Sequence, residues 1–199
     1  MGAQEDGKLP RILLKMKAGA TSPLDDTIRR EMLAHLPRLR RFAHGLTGSS
    51  DEGDDLLQAT CERAIRKIDT WTPGTRLDSW MFRIARNIYL NELRARKTRR
   101  EYAADVSHRS HEALDGEQLL MSQLTYTAVR DIVTALPEEQ RSVLLLIAAE
   151  GLTYSEASEV LEVPIGTVTS RLARARALLK RRIDGPPAKT SQGLSEMKA

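Results

Sequence analysis

The stretch EVPIGTVTSRLARARALLKRR, residues 162–182, combines a regular apolar repeat with a dense run of cations. When it is drawn as a helix at about 100° per residue, one side is apolar and carries Ile165, Val168, Leu172, Ala175 and Leu179. The opposite side carries small residues interleaved with arginines. Small side chains let a helix enter the major groove deeply, and arginine hydrogen-bonds to guanine edges or phosphates. The pattern therefore predicts a DNA-reading helix.

A shorter helix is predicted just upstream. Thr153 and Glu156 have the spacing of a capping box, which marks a helix N-terminus, and the apolar spacing continues to about Leu161. A tight connection containing Pro164 joins this helix to the cationic one. A short helix, a tight turn and a long basic helix together predict a helix-turn-helix unit that binds duplex DNA. The alternative is a surface helix whose arginines are only solvated.

The composition of the 199-residue chain suits small helical domains. Aromatic residues make up 4% and charged residues 29%, whereas strand-rich folds favour aromatic and β-branched residues. The net charge of +4 points weakly to a polyanionic partner. Because Cys61 is the one cysteine in the sequence, an intramolecular disulfide and a four-cysteine metal site are excluded. A free thiol fits a reducing cytosol, and no apolar run reaches membrane-spanning length.

Changes in pattern divide the chain into five segments. We predict a disordered N-terminal tail (1–23), a helical domain (24–97), a polar flexible linker (98–121), a second helical domain (122–183) and a disordered C-terminal tail (184–199). No segment has a convincing strand pattern. The fold prediction is therefore all-α, with two small helical domains joined by a flexible linker.

Helix signals locate the elements of both domains. Ser49 and Glu52 form a capping box ahead of a helix at about 51–68. A Thr-Pro-Gly-Thr turn then separates that helix from a third one at about 76–97. In the second domain, Pro137 is expected to open a helix at its first turn.

Several single side chains are assigned from these helices. Trp80 lies on the apolar side of the 76–97 helix, so we predict that it packs in the core, as does Cys61 on the preceding helix. Phe82 points elsewhere and is open to a DNA or partner role. His108 and His111 in the linker are spaced as metal ligands, but without further histidines or cysteines no metal site is predicted.

Three longer motifs follow one another along the chain. They are DEGDDLLQATCERAIRKI (51–68), WTPGTRLDSWMFRIARNIYLNELRARKTR (71–99) and GLTYSEASEVLEVPIGTVTSRLARARALL (151–179). In this order they resemble the core-binding helix, the promoter-melting segment and the promoter-binding second domain of bacterial extracytoplasmic-function (ECF) sigma factors. The resemblance covers about residues 24–183. The sequence TPGTRLDSW (72–80) is similar to the corresponding segment in the alphaproteobacterial general-stress branch of that family.

The resemblance implies a sigma region 2-like bundle, a sigma region 4-like domain and roles for three sets of residues. The set that matches the docking motif for the coiled coil of the polymerase β′ subunit is Asp54, Asp55, Leu56 and Gln58. The set that matches the segment expected to capture a flipped base of the −10 element and to track the separated strand is Thr72, Pro73, Gly74, Thr75, Arg76, Arg83, Arg86, Asn87, Arg94 and Lys97. The set that matches positions facing the −35 element is Gly166, Thr167, Thr169, Ser170, Arg171, Ala173 and Arg174.

Each of these sets also has a purely structural interpretation. Acids at the start of a helix stabilise its N-terminus, a Pro-Gly turn is an ordinary connection, and a basic helix face is ordinarily solvated. The chain also departs from the family pattern at three positions. Thr169 stands where Lys or Arg is usual and Ala173 where a larger residue sometimes stands, which changes the contacts available at the −35 element. Ala59 replaces a usual Glu, which alters the polymerase interface.

The resemblance implies a subunit for transcription initiation that has no catalytic site and no cofactor. Its implied partners are the RNA polymerase core, through the β′ coiled coil and the β flap, promoter DNA, and an anti-sigma factor that clamps the two domains together. We expect a cytoplasmic protein with no membrane insertion, and a stress-response role. Free protein should bind promoters poorly, because polymerase must hold the domains at a fixed separation.

Two alternatives remain from the sequence. One is a free-standing helix-turn-helix repressor or activator, for which neither a sensor domain nor a heptad seam is visible. The other is a sigma mimic that titrates anti-sigma factors. A mimic should have lost the DNA-facing cations, and this chain keeps Arg83, Arg86, Arg94, Arg171 and Arg174.

Overall fold

The computed structural model describes residues 26–103 and 129–183, and every regular element in these two ranges is helical. The elements are α1 (Asp26–Thr47), α2 (Ser50–Arg66), a 3₁₀ turn (Ile68–Thr70), α3 (Leu77–Ala103), α4 (129–134 within the described residues), α5 (Glu138–Leu144), a π-helical turn (Leu145–Ala149), α6 (Tyr154–Leu161) and α7 (Ile165–Ile183). The prediction of an all-α fold with two helical domains is confirmed. The predicted tails, His108 and His111 lie outside the described residues.

The connection between α1 and α2 follows the predicted signals in part. α1 runs without interruption through Pro37 and ends at Thr47, and the following Gly48 has a φ of 76° that only glycine adopts easily. Ser49 caps α2 and accepts a hydrogen bond from the backbone N–H of Glu52. The predicted capping box is only half formed, because the Glu52 carboxylate accepts hydrogen bonds from Arg96 on α3 instead.

Helix α3 is longer than the sequence pattern predicts. It continues to Ala103, whereas the predicted helix ends at 97 and the predicted linker begins at 98. The added residues contain neither glycine nor proline, and the Arg, Glu and Ala among them are good helix formers. A polar segment of this kind has no apolar repeat, but its residues still have a high helical propensity.

The first domain packs α1, α2 and α3 around a shared apolar core. Phe82 lies at its centre, in an edge-to-face contact with Phe42 at 5.0 Å between ring centroids, and Arg38 covers the ring. The prediction of an open Phe82 is therefore wrong. α3 is covered by α1 and α2 on one side and by α6 on another, so its buried stripe is wider than a single neighbour would require. Cys61 is buried and Trp80 packs against the core, as predicted.

The second domain packs α5, α6 and α7 together. Thr153 and Glu156 form the complete predicted capping box, and Pro137 immediately precedes α5. Glu162 then turns the chain toward α7 in the left-handed conformation, with φ of 56°. On α7, Val168, Leu172 and Ala175 are buried as predicted. Ile165 was predicted on the same side but is 50% exposed.

The two domains pack directly against each other. α3 of the first domain contacts α6 of the second, and α1 contacts α5 and the π-helical turn. The approach is close at Gly45, where an added Cβ would lie 2.6 Å from Leu145. This packing decides which of the predicted functional residues face solvent.

Candidate polymerase and promoter interfaces

The acidic edge of α2, formed by Asp54 and Asp55, contains one carboxylate held in hydrogen bonds and one that is exposed. Asp54 accepts hydrogen bonds from Arg40 Nε and Nη2 at 2.8 and 2.9 Å, and lies 2.8 Å from His44 Nε2. Burial opposes ionisation of Asp54, but the hydrogen bonds from Arg40 and His44 outweigh it and lower its pKa. Asp55 is exposed. Asp54 therefore joins α1 to α2, while Asp55 presents charge to the outside.

The remaining residues of the predicted polymerase set differ in exposure. Gln58 is half-buried and donates a hydrogen bond to Glu62 at 3.2 Å. Leu56 is 2% exposed and belongs to the hydrophobic core. A side chain inside the bundle acts by fixing α2, so the placement of Leu56 in the polymerase-binding set stays a prediction.

The predicted base-capture loop is an exposed, well-defined turn. The backbone N–H and the hydroxyl of Thr75 both donate to the carbonyl of Thr72, at 3.1 and 2.7 Å. Gly74 has φ of 85°, and no atom lies within 4 Å of the place where a Cβ would stand. Thr72, Pro73, Gly74 and Thr75 all face solvent. The open backbone at Gly74 leaves space beside the loop for a planar group.

Arg76 is held at the end of this loop by the buried carboxylate of Asp78. Its Nε and Nη2 donate to Oδ1 and Oδ2 at 3.0 and 2.6 Å. Arg38 Nη1 donates to the same Oδ2 at 2.6 Å, and the Ser79 N–H to Oδ1 at 2.8 Å. Burial opposes ionisation of Asp78, yet these donors lower its pKa to about 2. Arg76 is thus oriented with Nη1 left for another partner.

The basic band on α3 is divided by the domain packing. Asn87, Arg94 and Lys97 are exposed. Arg83 is half-buried and Arg86 is buried, since both lie where the second domain covers α3. The predicted continuous basic face therefore has an outer part open to solvent and an inner part that faces the second domain.

The predicted −35 surface lies on the outward side of α7. Gly166, Thr169, Ser170, Ala173 and Arg174 are exposed, and Thr167 is half-buried. The hydroxyls of Thr169 and Ser170 donate to carbonyls one turn earlier, at 3.1 and 3.0 Å. Arg171 differs, because its side chain is 16% exposed and its Nη2 lies 2.7 Å from Glu139 on α5. Arg174 is the arginine of this set that faces outward.

The comparisons with known proteins agree with this division into two domains. Residues 32–86 match the family described as "Sigma2 domain of PhyR", and residues 126–179 match "Sigma-70, region 4". Over 157 residues the chain is 36% identical to the ECF RNA polymerase sigma factor EcfG of Rhodopseudomonas palustris, covering 79% of this chain and 85% of EcfG. This chain belongs to the ECF RNA polymerase sigma factor family.

Two solved structures resemble this sigma factor in fold. The sigma factor RpoE of Bartonella quintana, in complex with the anti-sigma factor NepR, has a TM-score of 0.68 and 30% identity, over 81% of this chain and 99% of RpoE. The anti-anti-sigma factor PhyR, complexed with NepR, has a TM-score of 0.54 and 21% identity, over 78% of this chain and 50% of PhyR. At that identity the likeness to PhyR is one of fold alone.

The packing of the sigma factor also uses residues that the sequence analysis did not single out. Asp78, Glu138, Glu150 and Arg141 all join distant parts of the chain through hydrogen bonds or ion pairs. Glu150 is buried and lies 3.3 Å from Arg38 Nε and 3.2 Å from Arg41 Nη2. One local signal was available for Asp78, a carboxylate two residues after Arg76. The other partners are far apart in sequence, so no spacing rule identifies them.

A cleft of about 960 Å³ lies on one side of the domain junction of the sigma factor. Its apolar wall includes Leu36, Leu57, Val129, Val133, Leu144, Leu145 and Leu179. Its lining also includes the basic residues Arg40, Arg41, His44 and Arg130. A surface with this chemistry fits an amphipathic helix that has acidic residues beside its apolar side.

Across residues 26–103 and 129–183, no three His, Cys, Asp or Glu side chains are grouped so as to hold a metal ion. In the same ranges, none of the helices combines the length and the apolar character needed to span a bilayer.

Proposed function

We propose that this sigma factor directs core RNA polymerase to promoters through separate −10 and −35 surfaces on its two domains, without catalysing a covalent step itself. One observation carries the proposal: each domain presents a DNA-compatible surface of different chemistry. The first offers an open turn beside arginines, and the second offers a helix of small residues with an outward arginine. The two surfaces suit a separated strand and a duplex groove respectively.

The first domain is proposed to bind the −10 element. Turning a base out of the stack requires a pocket that replaces its lost contacts, and the exposed loop at 72–75 has open backbone at Gly74. Arg76 stands beside this loop, and Asn87, Arg94 and Lys97 extend the surface along α3. Cations placed in a row bind successive phosphates of one strand.

The second domain is proposed to read the −35 element with α7. Gly166, Thr169, Ser170 and Ala173 expose little side-chain bulk, so the helix can lie deep in the major groove. Arg174 is placed to reach a base edge or a phosphate. Arg171 contributes mainly by its ion pair with Glu139, which ties α7 to α5.

The polymerase core is proposed to bind the acidic edge of α2. Asp55 is exposed there and Gln58 is half-exposed beside it, on a helix that the core of the first domain holds rigidly. An exposed carboxylate and an amide suit a basic coiled-coil partner through charge-assisted hydrogen bonds. The second domain is proposed to contact the β flap.

An anti-sigma factor is proposed to bind in the cleft between the domains. The related RpoE has been solved in complex with the anti-sigma factor NepR, and the cleft here, lined by apolar and basic residues, fits an acidic amphipathic helix. NepR of Bartonella quintana is therefore a suitable probe. Adding it to a transcription assay should lower the yield of product, and lack of inhibition at every ratio would contradict a NepR-like partner.

Run-off transcription tests the function as a whole. Purified core polymerase and a library of genomic promoter fragments are incubated with and without this protein, and transcript start sites are mapped. We expect defined start sites that depend on the protein and that fade with Arg174→Ala. Arg182→Ala, an equal charge change at the exposed end of α7, is the matched control and should retain them.

The same assay separates the alternative functions. The match of residues 32–86 to the PhyR sigma2 domain is the observation that favours a mimic. Binding to NepR without any start site would support that alternative. Tight binding to a defined duplex in the absence of polymerase would instead identify a free-standing regulator.

A further inference from the structure

Three arginines on the −10 side of the first domain are paired with glutamates of the second domain. Arg76 Nη1 contacts Glu156 Oε1. Arg86 Nε lies 3.5 Å from Glu138 Oε1, and Arg83 Nη1 lies 3.8 Å from Glu162 Oε1. All three arginines belong to the set for which the family resemblance implies a contact with promoter DNA.

The pairing joins two surfaces and does not depend on a single contact. Arg76 immediately precedes α3, and Arg83 and Arg86 follow it by seven and ten residues. At about 100° per residue these spacings place the three arginines within a quarter turn of one another. The glutamates come from three places in the second domain: the start of α5, the first turn of α6 and the turn after α6. An acidic edge of one domain therefore covers a basic edge of the other.

The geometry at Arg76 shows how one site can serve two partners. Asp78 accepts hydrogen bonds from Nε and Nη2 of the Arg76 guanidinium, so Nη1 remains to bind a group on the other side of the interface. In the packed form that partner is the carboxylate of Glu156. A DNA phosphate presents the same charge and the same kind of acceptor oxygen. Carboxylate and phosphate cannot both occupy this position.

We propose that Glu138, Glu156 and Glu162 form an intramolecular ligand that occupies the places of promoter phosphates on Arg76, Arg83 and Arg86. The second domain and the −10 strand then compete for the same three arginines, and the packed form of the free protein is closed to DNA. This inference rests on the proposed −10 role of the first domain. It adds a reason why the domains must separate before the promoter is bound.

The strength of the contact is expected to be modest. Arg76 and Arg83 are partly exposed, and such ion pairs stabilise weakly because solvent screens them. Arg86 and Glu138 are more shielded, with side chains 11% and 16% exposed. Several weak contacts shift the population toward the closed form without locking it. Polymerase and DNA together can therefore open it.

The test replaces each glutamate by glutamine, one at a time. Glutamine removes the charge but retains an acceptor oxygen for the local hydrogen bonds. Those bonds come from Thr153 N–H to Glu156 at 2.8 Å and from Ser142 Oγ to Glu138 at 2.6 Å. The matched control is Glu159→Gln, an exposed position on α6 with an equal change of charge and no ion pair recorded in the described part of the chain.

Two measurements are made on the full-length free protein at low ionic strength. Fluorescence anisotropy gives the affinity for a short fluorescein-labelled single-stranded oligonucleotide, and small-angle X-ray scattering gives the radius of gyration. We expect Glu138→Gln, Glu156→Gln and Glu162→Gln each to bind the oligonucleotide about two- to fivefold more tightly than Glu159→Gln. Their radii of gyration should also rise relative to the control.

The outcomes separate this inference from the proposed function. A larger radius of gyration with no gain in affinity over Glu159→Gln would show that the arginines do not bind DNA, which overturns both the inference and the −10 role. Unchanged radius and unchanged affinity would overturn the glutamate contact alone. Run-off transcription by the wild-type protein then decides the proposed function independently.

Discussion

At the residue scale, Asp78 links the loop of the −10 surface to the interior of the protein. Its buried carboxylate receives hydrogen bonds from Arg76, Arg38 and the N–H of Ser79. Arg38 also reaches Glu150, and Arg76 reaches Glu156, so a single carboxylate connects two contacts across the domain junction. A side chain without a carboxylate at this position would leave Arg38 and Arg76 without the acceptor that they share.

Asp78→Asn should therefore destabilise the folded protein, and the effect should depend on pH. The folded pKa of about 2 lies below that of an unfolded aspartate, so the stabilisation is complete above pH ~4 and is lost as the pH falls toward 2. Its size above pH ~4 is roughly 2 kcal/mol. Chemical denaturation from pH 7 down to pH 3 measures the difference between wild type and variant, with the exposed Asp69→Asn as control. A difference that is constant across this range would contradict the assignment.

Cys61 should be nearly inert toward thiol reagents in the folded protein. The thiol is buried between the helices of the first domain, and burial raises its pKa to about 12. Because the thiolate is the reactive form, labelling by a disulfide reagent at pH 8 should be slow in buffer and fast in denaturant. Rapid labelling of native protein would show that the first domain opens far more readily than its packing indicates.

At the element scale, α7 separates two arginines that are three residues apart. Arg174 faces outward, whereas Arg171 is held against Glu139 on α5. We expect Arg174→Ala to weaken binding of polymerase holoenzyme to −35 duplex, because a good bidentate arginine contact to a base is worth about 1–3 kcal/mol. The melting temperature should be unchanged, because Arg174 is exposed.

Arg171→Ala is expected to act differently from Arg174→Ala. It removes an ion pair between α7 and α5, so it should lower the free energy of unfolding by about 0.5–1 kcal/mol. Thermal denaturation of the two variants and of Glu139→Gln checks this, and the Glu139 variant should reproduce the loss of stability seen with Arg171→Ala. If Arg171→Ala were as stable as wild type but had lost promoter affinity, Arg171 would be shown to contact DNA.

At the scale of the whole molecule, Arg141 joins the two domains through partly buried hydrogen bonds. It donates to the backbone carbonyl of Leu46 at the end of α1 and to the Tyr89 hydroxyl on α3, at 3.0 Å for the latter. It also donates to the carbonyls of Thr134 and Leu136 in its own domain. One guanidinium thus satisfies acceptors on both sides of the junction.

Arg141→Met should loosen the domain packing while keeping the bulk of the side chain. Loss of the guanidinium leaves partly buried carbonyls without a donor, at a cost of about 1–3 kcal/mol. Hydrogen exchange should then become faster at the C-terminal turn of α1 and around Leu136, but not in the middle of α2. Exchange rates equal to those of wild type at all three places would show that Arg141 does not hold the junction.

The sequence by itself determined the helical fold, the starts of α5 and α6, the helix-turn-helix and the family, because these depend on residues that are close together along the chain. Capping at Thr153, the turn at Gly74 and the apolar repeat of α7 are local features. Exposure was harder to predict. Phe82 and Ile165 were misassigned because the width of a buried stripe depends on how many neighbouring helices cover it.

Only the tertiary structure decided which side chains of the candidate interfaces are already buried or paired with other residues of the protein. Arg76 and Glu156 are 80 positions apart, and Arg38 and Glu150 are 112 apart. Periodicity and capping rules relate residues within one element, so they carry no information about such partners. Leu56, Arg86 and Arg171 looked equivalent to their neighbours in the motifs. Packing between helices and between domains shields these three side chains from solvent, whereas Asp55, Asn87 and Arg174 stay exposed.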